Sequence, residues 1–258
     1  MNDRVPRMQT TPKIIGVIVV PCYNEQTRID VDYFGYLIHE LGKFHFYLLF
    51  VNDGSSDSTG AILDELGELG AKTLHLEKNV GKAEAIRNGL IASNSEYPNC
   101  EVFGYLDADA AFGASDVIDL ALSISEKYRN KSVLFLSGSR ISMAGSLIQR
   151  NKLRHIIGRA IVTILNLDKK IRMYDPQSGL KVFRVKNFDQ LSLGKPFKTK
   201  WFVDLEILSR LSAHSLEVIE QPVKQWVEVS GSKLNIQDAL TIFKELIIIK
   251  KIIRDSRS

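Results

Sequence analysis

Short runs of consecutive apolar residues alternate along the chain with longer stretches in which apolar positions recur every three or four residues. The runs at Ile14–Val20, Tyr47–Val51, Thr73–Leu76, Val102–Leu106 and Val133–Leu136 are bounded by turn residues and predict buried strands. Between them the spacing predicts helices over Arg28–Leu41, Ser58–Leu69, Lys82–Ala92 and Ser115–Tyr128. Ser58 and Ser115 are the expected N-caps, because a side-chain oxygen can accept an amide that the first helical turn leaves unpaired. Strand–helix alternation implies an α/β fold, a mostly parallel sheet with helices on both faces. Ligands of such sheets bind beyond the carboxyl ends of the strands.

After Arg140 the pattern changes. Gln149–Leu167 predicts a long basic-apolar helix, Gly179–Val185 a strand and Phe202–Leu211 a helix. Leu216–Val229 reads as extended, with Pro222 pointing to an edge or a bulge, and Ile236–Arg254 closes the chain as an amphipathic helix. No repeat, low-complexity block or Pro-rich linker marks a boundary, so residues 1–258 read as one domain.

Composition adds exclusions. With 258 residues, 45% apolar and 25% charged, the chain is neither disordered nor collagen-like. Cys22 and Cys100 are too few for a disulfide framework, which makes a reducing, cytoplasmic setting the expectation. No stretch reaches the ~18 apolar residues of a membrane span, so a soluble or surface-bound protein is expected. The formal charge of +4 is unevenly spread: Lys127–Arg172 holds 11 Lys or Arg against the single acid Asp168, leaving 23 bases and 29 acids elsewhere. A basic segment that also carries apolar runs points to an anionic partner.

Four polar clusters follow predicted strands: Pro21-Cys22-Tyr23-Asn24-Glu25, Asn52-Asp53-Gly54-Ser55-Ser56-Asp57, Asn79-Val80-Gly81-Lys82 and Asp107-Ala108-Asp109. Singly each could be a turn or a cap. Together they would meet at one sheet edge. Two carboxylates one residue apart after a buried strand can address one hard cation, Mg²⁺ or Mn²⁺, which leaves positions for water and phosphate oxygens. Such a metal would stabilise a diphosphate as leaving group.

The segments PCYNE, VNDGSSDST, NVGKAEAIRNG, LDADA and SGSR resemble the inverting, GT-A-fold glycosyltransferases of family 2. Gln149-Arg150 with Arg154, Asp175–Phe183, Trp201–Glu206, Val223–Glu228 and Gly231-Ser232-Lys233 look most like the dolichyl- or polyprenyl-phosphate glucosyltransferases within it. The resemblance implies a nucleotide-sugar-binding half over residues 14–140 and an acceptor-side half over 141–235, after which the amphipathic helix takes up 236–258. By it, Pro21, Tyr23, Glu25, Asp53 and Lys82 would line the nucleotide pocket. Asp107 and Asp109 would face ribose, metal and diphosphate, with Asp109 the more direct ligand. Arg140, Arg150 and Arg154 would receive an anionic acceptor, and Asp175, Gln177 and Asp204 would sit near the reacting sugar. Family members usually carry two acids where this chain reads Asn52-Asp53.

The expected activity is metal-dependent transfer of glucose or a similar hexose from a UDP-sugar to a polyprenyl or dolichyl phosphate, beside a membrane surface. A saccharide or protein hydroxyl is the alternative acceptor, for which Asp175 or Asp204 could act as base. A non-catalytic nucleotide- or nucleic-acid-binding protein ranks below both, since it leaves Asp107-Ala108-Asp109 without a purpose and the basic stretch lacks interleaved aromatics.

Overall fold

The computed structural model describes residues 15–128, 130, 133–151, 158–159, 161–163, 173–212, 216–229 and 236–255. The strands in chain order are β1 (Gly16–Cys22), β2 (Phe46–Asn52), β3 (Lys72–His75), β4 (Val102–Leu106), β5 (Leu134–Ser139), β6 (Leu147–Gln149), β7 (Leu180–Arg184), β8 (Glu217–Pro222) and β9 (Gln225–Val227). The helices are α1 (Val31–Gly42), α2 (Thr59–Glu68), α3 (Lys82–Glu96), α4 (Ala114–Leu122), α5 (Val203–Leu211) and α6 (Ile236–Asp255). A π-helical turn, Ser123–Lys127, continues α4.

Seven strands form one sheet in the order β3-β2-β1-β4-β7-β5-β8, while β6 and β9 pair separately. All pairings are parallel except those of β7, which runs antiparallel to both β4 and β5. The expected mostly parallel α/β sheet is therefore present. Side chains of each strand alternate between two cores. Val17 and Val19 pack with Phe103, Phe183 and residues of α3, α5 and α6, whereas Ile18 and Val20 pack with Phe50, Val182 and residues of α1 and α4. Helices on both faces explain why the strands read as unbroken apolar runs.

Several boundaries differ from expectation. α1 starts at Val31, not Arg28, because Asp30 caps it by accepting the Tyr33 amide at 2.9 Å. Ser58 does occupy the N-cap position of α2, but its side chain makes no capping bond, and Asp57 Oδ1 accepts the Thr59 amide instead. Ser115 lies inside α4, whose N-cap is Gly113. Gln149 belongs to β6, paired with Val227, so the helix expected from Gln149 does not begin there. Within that stretch 158–159 and 161–163 are helical, and most of the remainder, with Arg154, lies outside the described residues. Leu216–Val229 resolves into β8 and β9, and Pro222 ends β8 at the sheet edge, where its missing N–H removes no ladder bond.

Candidate active site

The loops that follow β1 and β2 are laced together by side-chain oxygens. Glu25 N donates to Thr59 Oγ1 at 2.8 Å, and Ser56 N donates to Asn24 Oδ1 at 2.9 Å. Asn52 accepts the Ser55 amide at 3.0 Å, and its Nδ2 reaches His75 Nδ1 at 3.1 Å, a contact in which an amide donates where a carboxylate could not. Gly54 has φ +64°, and a Cβ there would lie 2.5 Å from the Lys78 carbonyl carbon, so only glycine lets this turn close on the next loop. Asp53 is buried and accepts the amides of Val80 (2.7 Å) and Gly81 (2.9 Å) and Nδ2 of Asn79 (3.0 Å). Burial pushes the Asp53 carboxyl up, against those amide bonds. Its observed work is to fix the 79–81 loop.

At the end of β4, Asp107 Oδ1 receives Lys82 Nζ at 2.6 Å and Asp109 Oδ2 receives Arg28 Nη2 at 3.1 Å. Arg28 also pairs with Glu25 at 3.0 Å. Burial, and then the charge of Asp107, raise the Asp109 carboxyl. Gly179 presses on this pair: its carbonyl accepts the Asp107 amide at 2.9 Å, and a Cβ on it would fall 2.2 Å from Asp107 Oδ2. Among the described residues no cluster of three His, Cys, Asp or Glu side chains gathers to hold a metal. Two mutually repelling carboxylates beside exchangeable cations nonetheless suit a hard dication that completes its shell with phosphate oxygens.

Across the cavity, Arg140 grips Asp175 bidentately, with Nε and Nη2 each 2.7 Å from a carboxylate oxygen. The Arg140 amide adds a third bond at 2.9 Å. Arg150 Nη2 donates to the Arg140 carbonyl and to Asp175 Oδ2, the latter at 3.2 Å. Both guanidiniums lie over the Trp226 ring, at 5.0 and 5.7 Å from its centroid. Burial would raise the Asp175 carboxyl, but Arg140 outweighs it and holds the group well below the usual carboxylate range. Asp204, on the first turn of α5, goes the other way: burial raises it to about 7, with Lys82 opposing. Lys181, fully buried on β7, donates to the Ser178 carbonyl at 2.5 Å and lies 4.0 Å from Asp204. Burial lowers its ammonium to about 7.

One cavity of about 600 Å³ collects Pro21, Glu25, Lys82, Asp107, Asp109, Arg140, Arg150, Asp175, Gln177 and Asp204. Tyr23 and Asp53 stand outside its lining. Sequence reasoning missed Arg28, Arg159, Lys200 and the buried Lys181. Arg28 was signalled by its i, i+3 spacing from Glu25, and Lys181 by being a lone lysine between apolar neighbours in a buried strand. Lys200 carried no local signal. The far wall is apolar, with Ile161, Val162, Trp201, Val203 and Ile242.

A dolichyl-phosphate beta-glucosyltransferase of Trichomonas vaginalis is 25% identical over 257 residues, covering 95% of this chain and 76% of that protein. The Homo sapiens dolichyl-phosphate beta-glucosyltransferase is 27% identical over 248 residues, covering 90% and 74%. Among solved structures, glucosyl-3-phosphoglycerate synthase from Mycobacterium tuberculosis, in complex with Mn²⁺, UDP and glucosyl-3-phosphoglycerate, superposes with a TM-score of 0.62. That match has 17% identity and covers 92% of this chain and 78% of that one, a likeness of fold. The same synthase has also been solved with Mg²⁺ and UDP, with a TM-score of 0.60 at 16% identity over 92% of this chain and 78% of that one. The model of glycosyl transferase family 2 matches residues 17–191, and the chain belongs to that family.

Proposed function

We propose that the protein transfers glucose from UDP-glucose to a polyprenyl or dolichyl phosphate with inversion at the anomeric carbon. One observation carries this reading: a single cavity joins a carboxylate pair at the end of β4 to two arginines and an apolar wall, which suits an acceptor with a phosphate head and a hydrocarbon body. The two relatives described above, each named as a dolichyl-phosphate beta-glucosyltransferase, support it.

In this reading Asp109 and Asp107 would hold Mg²⁺ or Mn²⁺, whose contribution is to neutralise charge on the departing diphosphate. Lys82 and Arg28, at the same carboxylates, stand close enough to turn to the phosphates once that ion is present. The lipid phosphate oxygen attacks the anomeric carbon from the face opposite UDP, its lone pair forming the new C–O bond as the bond to UDP breaks. A phosphate is ionised near neutral pH, so positioning and charge compensation matter more than a base. Arg140 and Arg150 supply the compensation, and Asp175, kept anionic between them, holds their guanidiniums in place. Gln177 lines the sugar side. Tyr23 and Asp53 shape the nucleotide loops, and Arg154 completes the acceptor cations.

Among the described residues no helix is long and apolar enough to cross a membrane. Contact with the cytoplasmic face of a membrane would come from α6, whose outer side exposes Phe243, Ile247 and Ile248 among Lys244, Lys251 and Arg254. Incubation with UDP-glucose, Mn²⁺ and undecaprenyl or dolichyl phosphate, followed by mass spectrometry, tests the reading. A glucosyl-phosphate lipid is expected. Products only with hydroxyl acceptors would favour the second reading, transfer to the hydroxyl of an anionic small molecule. Asp204, raised to about 7, speaks for that reading as a competent base, and the fold neighbour bound to glucosyl-3-phosphoglycerate is consistent with it.

A further inference from the structure

Five successive amides leading into α5 all end on carboxylates. Phe197 N donates to Glu84 at 2.9 Å, and Lys198 N and Thr199 N donate to Glu206 at 3.0 and 3.2 Å. Lys200 N and Trp201 N donate to Glu245 of α6 at 3.0 and 2.9 Å. Glu206 has a cation beside it, Arg210 at 3.0 Å. Glu245 is 6% exposed, and the bonds that reach it come from backbone amides. Burying a carboxylate is costly, and α6 already has Leu246, Ile249 and Ile253 to hold it on the core. The bonds act on the segment they hold: Lys200, Trp201, Val203 and Asp204 all line the cavity, as does Ile242, one turn before Glu245.

We infer that Glu245 is a positioning residue of the acceptor wall, through which the C-terminal helix sets Lys200 and Trp201 and so governs acceptor use but not donor binding. The inference rests on reading that wall as the acceptor side. It gives α6 two jobs on opposite faces, since its outer face carries the exposed apolar and basic residues and its inner face completes the cavity. It also extends the acceptor site past residue 191, where the family match ends.

The test compares the full-length protein with Glu245→Gln, which keeps the shape but turns an NH₂ towards an amide donor, and with Glu245→Asp, which keeps the charge but is one methylene shorter. In Glu245→Gln the acceptor KM should rise about tenfold, the scale of one lost charge-assisted bond, with UDP affinity within about twofold of wild type. With 5-fluorotryptophan incorporated, the ¹⁹F resonance of Trp201 should shift or broaden while that of Trp226 stays, and Glu245→Asp should fall between. Both changes are required. A moved resonance with unchanged acceptor KM, or the reverse, overturns the inference, as does an equal loss of UDP affinity. If the wild type glucosylates no polyprenyl phosphate, the substrate reading has failed, and the Trp201 resonance with the UDP titration decides the clamp: a resonance that stays in place overturns it.

Discussion

On the side of the cavity built by the ends of β1, β2 and β4, ion pairs stand partly in solvent: Lys82 is 48% exposed and its partner Asp107 31%. On the other side Asp175 is 8% exposed between two guanidiniums, and Lys181, 4.0 Å from Asp204, is wholly buried. Exposed pairs are worth about 0–1 kcal/mol, so Lys82 can exchange partners at little cost when a nucleotide arrives, whereas Arg28, at 20% exposure, is as shielded as Arg140. Buried pairs resist exchange, because removing one member strands the other in a poor dielectric. On the donor side the Lys82 pair is thus built to rearrange, while the acceptor-side pairs are built to stay as they are.

The largest effect expected is on the donor side. Asp109→Ala should slow transfer on the order of 10²–10³-fold and abolish any gain in UDP affinity from Mn²⁺. Titrating UDP with and without Mn²⁺ on both proteins checks this. Equal affinity in all four measurements would mean that Asp109 serves only Arg28, and the contrast between the two sides would collapse.

Stability separates the sides more directly. Arg140→Ala leaves Asp175 with the residue-140 amide and Arg150 as its one guanidinium partner, and should cost up to about 3–5 kcal/mol in urea unfolding. Lys82→Ala should stay within about 1 kcal/mol. Arg140→Lys should rescue little, because an ammonium cannot reproduce the two-point grip. Equal losses for Arg140→Ala and Lys82→Ala would show that the acceptor side is no more rigid than the donor side.

Smaller effects should appear in the pH dependence of stability, with opposite signs for two carboxylates of one cavity. Asp175 is held low, so its stabilisation is fully present above the ordinary carboxylate pKa of about 4 and is lost as pH falls below that. The deficit of Asp175→Asn should be widest near neutrality and shrink in acid. Asp204 is raised to about 7, so the native state loses stability as pH climbs from about 4 through 7. Asp204→Asn should gain on wild type across that window. Thermal denaturation at a series of pH values reads both, and parallel curves for the two variants would refute the electrostatic contrast.

The smallest effect concerns the outer face of α6. Binding to anionic vesicles should weaken in Lys251→Glu by roughly 1–2 kcal/mol, at about 1 kcal/mol per basic charge, and fall with salt. Vesicle co-sedimentation checks it, and a full-length protein indifferent to anionic vesicles at low salt would remove the membrane from the proposal.

Much of the donor side was legible because each of its four clusters follows an apolar run at once or within two residues, so local pattern located Glu25, Lys82, Asp107 and Asp109 together. The acceptor side was read mainly by resemblance, and its supports were invisible. Glu245 looks like one acid on an amphipathic helix, and nothing near it in sequence announces the amides of Lys200 and Trp201, 45 and 44 positions away. The helix start expected at Gln149 failed for the same reason, because the pairing partner of Gln149, Val227, belongs to a distant strand. Ser115 was a plausible cap by type, but Asp116 beside it is engaged by the amides of Lys224 and Gln225, at 2.8 Å each.

The antiparallel strand β7 has a consequence for how the chain is made. It lies between β4 and β5, and these two strands do not pair with each other. A ribosome that has delivered everything up to Ser139 has therefore released five of the sheet's strands with a gap in the middle. Until Leu180–Arg184 emerges, β4 presents an open edge and β5 has no neighbour, the kind of surface that recruits strands from other chains. Closing the gap is a long-range event, slow compared with forming the helices on either side. A fragment ending near residue 140 should accordingly aggregate, although it carries nearly every donor-side residue, and the sheet should become protease-resistant only after β7 has been translated.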